Sequence, residues 1–229
     1  MAAFVLVHGI CHGAWCWRST VNELTRRGHE VEAVGLPLTS LDDDADTVRQ
    51  ALDHVDGPAI LVGHSYGGLV ITKAAGGRGD VEHLVYVAAV MLDGDDVFAS
   101  RTSEFPPAPL SDRVEVTEDG QMVVGPDAAV ACFYNECEPD EAREAADRMR
   151  PTALMCLGVA TGVEPWRTVP STYVLCERDR AIHPEMQRWM SSRAGKVIVF
   201  DTDHSPFMST PEDFVDVLDD LARPERGSR

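Results

Sequence analysis

The stretch Ala59-Ile60-Leu61-Val62-Gly63-His64-Ser65-Tyr66-Gly67-Gly68-Leu69-Val70-Ile71 passes from an apolar strand, through a glycine-flanked turn, into a helix. Its middle, Gly63-His64-Ser65-Tyr66-Gly67, has the pattern G-x-S-x-G. The pattern gains meaning from its setting, because a serine between a strand and a helix sits on a sharp turn that presents its hydroxyl. A side chain at either flanking glycine would collide with the neighbouring strand or helix. Gly63, Gly67 and Gly68 meet that demand.

Upstream, an apolar strand over residues 4–7 ends at His8-Gly9, and residues 15–27 have the spacing of a helix closed by Gly28. A strand over residues 29–34 follows, then a loop at 36–40 and a helix from the acidic stretch at 42–46 to about residue 55. Downstream of the turn, residues 68–75 predict a helix stopped by Gly76-Gly77, and residues 83–90 a nearly all-apolar strand. Apolar strands that alternate with helices predict a mostly parallel sheet covered on both faces.

The alternation breaks over residues 91–165, read as a cap inserted into one domain that spans residues 1–229. This insertion holds Phe105-Pro106-Pro107-Ala108-Pro109, a short hairpin over 114–124 and a helix over 139–149. The rhythm resumes with a strand at 173–176, a helix at 184–193, a strand at 197–200 and a helix at 211–221, and a frayed tail is expected at 224–229.

With 20 Lys and Arg against 38 Asp and Glu, the chain carries a formal charge of −18, which repels nucleic-acid phosphates and anionic membranes. No apolar run is long enough to span a bilayer, and the N-terminus lacks the basic region of a signal peptide. Six scattered cysteines with no export signal predict reduced thiols and a cytoplasmic location. Cys11/Cys16 and Cys132/Cys137 are each spaced C-x4-C, but no Cys or His pair completes a zinc tetrahedron, so no metal is expected. No cofactor is expected, the expected partner is a small molecule, and the oligomeric state stays open, a homodimer included.

A serine hydroxyl needs a base, and the base needs a carboxylate to hold its tautomer. His204, after the last strand, and Asp179, after the strand at 173–176, stand in the required order behind Ser65. Asp179 is preferred to Glu177, while Asp201 and Asp203 are too near His204 in sequence to reach its far ring nitrogen. The amides of Tyr66 and Ile10 are the expected oxyanion donors, with Gly9 allowing close approach. His12, Phe133 and Trp166, together with Gly9, are the expected substrate-pocket residues, with Phe98, Phe105 and Tyr134 as further aromatic candidates. His64 is read as a packing residue rather than a second base.

The opening Phe4-Val5-Leu6-Val7-His8-Gly9-Ile10-Cys11-His12-Gly13-Ala14-Trp15 resembles the plant methylesterase and hydroxynitrile lyase branch of the α/β-hydrolases. So do Phe133-Tyr134-Asn135-Glu136-Cys137, Tyr173-Val174-Leu175-Cys176-Glu177-Arg178-Asp179 and Asp203-His204-Ser205-Pro206-Phe207. The resemblance implies an α/β-hydrolase fold and ester hydrolysis through an acyl-serine. In that branch the lyases carry threonine at the place of Gly9 and lysine at the place of Ser205, so both lyase markers are missing. Lyase or acyl-transfer chemistry, and a ligand receptor with a slow triad, are the rival expectations.

Overall fold

The computed structural model describes residues 1–223, and the expectation of a frayed tail at 224–229 lies outside them. In chain order its strands are β1 (Ala3–Val7), β2 (Glu30–Val34), β3 (Ala59–His64), β4 (Val81–Val87), β5 (Val114–Val116), β6 (Gln121–Val124), β7 (Thr152–Ala153), β8 (Ser171–Cys176) and β9 (Lys196–Phe200). Six of them form one all-parallel sheet in the order β2-β1-β3-β4-β8-β9.

Alternation along each strand sends successive side chains to opposite faces. Val5, Val7 and Leu61 therefore enter one core with the helices Leu41–Leu52, Gly67–Ala75 and Pro184–Ser191. Phe4, Leu6, Ile60 and Val62 enter a second core against the helices Arg18–Arg26 and Pro211–Leu221. Because both faces are covered, the central strands β1 and β3 are buried at every residue, as their unbroken apolar runs require.

Strand order turns back between β1 and β3: the chain runs from β1 outward to β2, then crosses to the other side of β1. At such a reversal the loops at the strands' carboxyl ends part and leave a crevice. Val7 pairs with Gly63, His64 with Val87 and Cys176 with Phe200, so the loops holding Gly9, Ser65, Asp179 and His204 leave the same rim of the sheet.

Several expected boundaries shift. The helix expected over 15–27 starts as a 3-10 turn, Ala14–Trp17, and becomes α-helical at Arg18–Arg26, with Gly28 in the left-handed region at φ +89°. The apolar run through Val90 leaves the sheet after Val87: Ala88 turns at φ +42°, and the Val90 N–H donates to the Ser65 carbonyl at 2.9 Å. Its hydrophobicity thus reflects burial against the turn, not strand pairing.

Residues 91–165 hold the expected hairpin, β5 with β6, to which β7 adds a third antiparallel strand. They also hold the short helices Phe98–Thr102 and Pro126–Cys132, too brief to show a period, and a helix at Pro139–Ala146 that ends before residue 149. Arg150 ties this region to the body. Its N–H donates to the Cys11 carbonyl at 3.0 Å, its Nε donates to the His12 carbonyl at 2.8 Å, and its Nη2 donates to the Leu36 carbonyl.

A Cβ at Gly68 would stand 2.4 Å from the Val90 carbonyl oxygen, whereas one at Gly35 would meet nothing within 4 Å. Gly68→Ala is expected to cost about 1–3 kcal/mol, lowering the melting temperature by roughly 2–4 °C per kcal/mol. Gly35→Ala should stay within roughly 0.5 kcal/mol of the parent. Equal melting temperatures for the two variants would contradict this packing.

Candidate active site

Ser65 has φ +55°, a conformation that L-residues avoid. Three backbone bonds hold it there: its N–H donates to Val87 O at 3.1 Å, and its carbonyl accepts from Gly68 N at 3.0 Å and Val90 N at 2.9 Å. The flanking glycines are sterically required. A Cβ at Gly63 would lie 2.5 Å from Gly67 O, and one at Gly67 would lie 2.6 Å from Val7 O. One at Gly9 would lie 2.8 Å from Ser65 Cβ, which shows how closely the two loops approach.

His204 is buried, and its Nδ1 donates to Asp179 Oδ2 at 2.7 Å. The Asp179 carboxylate has every other lone pair in use. Oδ1 accepts from the N–H groups of Ala181 (2.6 Å) and Ile182 (2.9 Å), and Oδ2 also accepts from Gln187 Nε2 (2.7 Å). With its proton on Nδ1, His204 presents a basic Nε2, which is buried and has no partner among the described residues. No hydrogen bond joins it to Ser65, and such contacts characteristically tighten in the complex with substrate.

The rival acids are occupied elsewhere: Glu177 pairs with Arg188, and Asp201 pairs with Arg178. Asp203 accepts from the N–H groups of Glu136 (2.9 Å) and Ser205 (3.1 Å) and from Ser209 Oγ (2.8 Å), so it fastens the segment at Glu136 to the His204 loop. Burial raises its pKa.

Among the described residues neither the Ile10 nor the Tyr66 N–H has an acceptor. His8 sets the first of these. Its Nδ1 donates to Gly9 O at 2.9 Å while its Nε2 accepts from Leu36 N at 3.0 Å. In a trans peptide the N–H points opposite to the C=O, so holding the Gly9 carbonyl turns the Ile10 N–H the other way. Tyr66 is set by its hydroxyl, which donates to buried Asp44 Oδ2 at 2.7 Å; Asp44 Oδ1 accepts from Leu38 N at 2.8 Å. Burial raises the pKa of Asp44, against the opposing pull of these hydrogen bonds.

A cavity of about 500 Å³ opens over Ser65, lined by Ile10, Tyr66, Phe98, Phe105, Phe133 and Met186 among others, with no Asp, Glu, Lys or Arg among the described residues of its wall. Phe133 stands in that wall and packs on His204 with ring centroids 5.5 Å apart. The expectations for His12 and Trp166 need correction. His12 is buried behind the loop that follows β1, where Nδ1 donates to Ile10 O at 2.6 Å and Nε2 accepts from the Tyr134 hydroxyl at 2.9 Å. Trp166 packs in the core under the Arg167 guanidinium, 4.4 Å from its ring centroid, outside the cavity wall. Gly9 borders Ser65 but does not line the cavity.

Sequence reasoning missed Gln187. It is wholly buried, its Oε1 accepts from Cys176 N at 3.0 Å, and its Nε2 also donates to Ile182 O at 3.1 Å, so it fixes the Asp179 loop to β8. A glutamine on the apolar face of the helix Pro184–Ser191 was the available signal. His64, next to Ser65, donates from Nε2 to His204 O at 3.0 Å, its rings lie 4.5 Å apart from those of His204, and burial drives its pKa well down.

Residues 4–217 match the alpha/beta hydrolase family, and the chain belongs to it. Its relatives include methylesterase 7 of Arabidopsis thaliana, 30% identical over 96% of this chain and 95% of the relative. Methyl jasmonate esterase 1 of Vitis vinifera is 27% identical over 95% of each chain. Polyneuridine aldehyde esterase shares the fold, with a TM-score of 0.84 at 22% identity over 97% of this chain and all of that one.

Burial lowers the pKa of His8 to about 4 and that of His12 to about 3, from an ordinary 6.5. Below pH 6.5 the unfolded chain therefore binds more protons than the folded one, so stability present above 6.5 drains away as pH falls. His12→Gln should make the loss between pH 6.5 and 5 shallower by up to about 1.4 kcal/mol per pH unit. Urea midpoints read this slope, and parallel slopes for the two proteins would contradict the assignment.

Proposed function

We propose that the chain is a serine esterase that cleaves uncharged small carboxylic esters through an acyl-Ser65 intermediate. The observation that carries the reading is the state of His204: Nδ1 is held by Asp179, and Nε2 is buried without a partner among the described residues. Ser65 attacks the ester carbonyl as His204 Nε2 takes its proton, and Asp179 stabilises the imidazolium. The Ile10 and Tyr66 amides donate to the oxyanion, and their lack of acceptors among the described residues supports that role. His204 then gives the proton to the leaving alcohol, and water repeats the sequence on the acyl-enzyme.

The relatives named methylesterase and methyl jasmonate esterase support an ester as substrate. The uncharged cavity supports a neutral, apolar one, since an ion placed there would lose its hydration with no counterion. Cytoplasmic residence belongs to the same proposal, supported by six cysteines that are all free thiols. Among the described residues no helix is long and apolar enough to cross a membrane.

Lyase chemistry, which needs a cation to receive a departing cyanide, is disfavoured by a wall without Lys or Arg and by a buried Ser205 after His204. Cyanide release from mandelonitrile should stay at background. Ser65→Ala is expected to lower kcat/KM for p-nitrophenyl acetate by at least roughly a thousandfold, with the fold intact by circular dichroism. Full activity in that variant would refute the nucleophile.

A further inference from the structure

The polar groups in the cavity wall are nearly all committed to the protein. The Tyr66 hydroxyl donates to Asp44, Thr102 Oγ1 to Ala99 O at 3.0 Å, Ser103 Oγ to Ser100 O at 3.1 Å, and Ser111 Oγ to Ala108 O at 2.6 Å. These hydroxyls keep lone pairs but have spent their protons. Apart from Ser65, the remaining polar side chain among the lining residues is His183.

His183 caps the helix Pro184–Ser191, and its Nδ1 accepts from the Glu185 N–H at 3.3 Å. That bond puts the proton of the neutral ring on Nε2. The outward directions of the two nitrogens diverge across the ring, so anchoring Nδ1 to the helix end points the Nε2–H away from that end. Nε2 has no partner among the described residues and is not a buried atom. Away from the reaction centre it is the side-chain donor the wall leaves free.

We propose that His183 is a specificity-determining residue, which donates Nε2–H to an uncharged acceptor carried by the substrate apart from the scissile ester, such as a ketone, ether or amide oxygen. The inference rests on the esterase reading for the ester at Ser65 and extends it to a substrate with two polar ends and an apolar span between them. In an apolar cavity a substrate oxygen gives up its water, and it binds well only where a donor replaces that water. A wall built this way discriminates by hydrogen bonding rather than by methylene count, the stronger of the two means.

The test is calorimetric binding of methyl nonanoate and methyl 8-oxononanoate to Ser65→Ala protein, which cannot turn them over. The keto ester is expected to bind roughly three- to tenfold more tightly. Adding His183→Leu should erase that preference, so that the two esters bind about equally. His183→Asn, which retains a cap acceptor but is too short to offer the donor, should also erase it, and it serves if the leucine variant misfolds. His183→Gln, with an amide donor at longer reach, should restore part of it. No keto preference in the parent, or the same preference in the Leu and Asn variants, would overturn the proposal. Hydrolysis of methyl nonanoate by the unaltered chain reports separately on the esterase reading: a keto preference through His183 with no hydrolysis would sink that reading and leave this one standing.

Discussion

The left-handed backbone at Ser65 is the constraint around which the rest is arranged. Such a conformation costs about 1–3 kcal/mol and persists only where its surroundings over-determine it. Here β4 and the loop after it supply two of the three restraining bonds, and the helix that starts at Gly67 supplies the third. The glycines are the steric half of the same constraint, since carbonyl oxygens of Val7, Gly67 and Val90 occupy the space that side chains at 67, 63 and 68 would need.

Around that turn the site is set by buried polar groups that stand outside the wall of the cavity over Ser65. His8 and His12 hold the carbonyls of Gly9 and Ile10, Asp44 holds the Tyr66 ring, and Gln187 holds the Asp179 loop. Two of these are histidines kept neutral by burial, and neutrality suits them, since each must both donate and accept. The same burial makes them points of weakness in acid, so the precision of the site and the acid sensitivity of the fold share one origin.

Much of this was legible in the sequence, for reasons that can be named. The strand, turn and helix around Ser65 could be read because continuous apolar runs and steric glycines are local signals. Asp179 and His204 could be placed because each follows a strand at the same edge of a parallel sheet, and sheet order then does the rest. The cavity could not be read that way. Trp166 and His12 were natural choices for a pocket because they are aromatic or polar within suggestive segments, but lining a cavity depends on how residues 91–165 pack over the sheet, and composition does not encode that. Asp44 and Gln187 escaped notice because each sits on a helix among residues that also suit a solvated face, and only the tertiary fold turns them inward.

In the mechanism we propose, the Ser65 turn and the loop after β1 together form one oxyanion site served by His204. A structure of the protein with a phosphonate bonded to Ser65 Oγ tests it most directly. A phosphoryl oxygen is expected within about 2.7–3.1 Å of both the Ile10 and Tyr66 nitrogens, with His204 Nε2 facing the serine oxygen. An adduct whose phosphoryl oxygen points into solvent, or a Ser65 that stays unlabelled in folded protein, would contradict it.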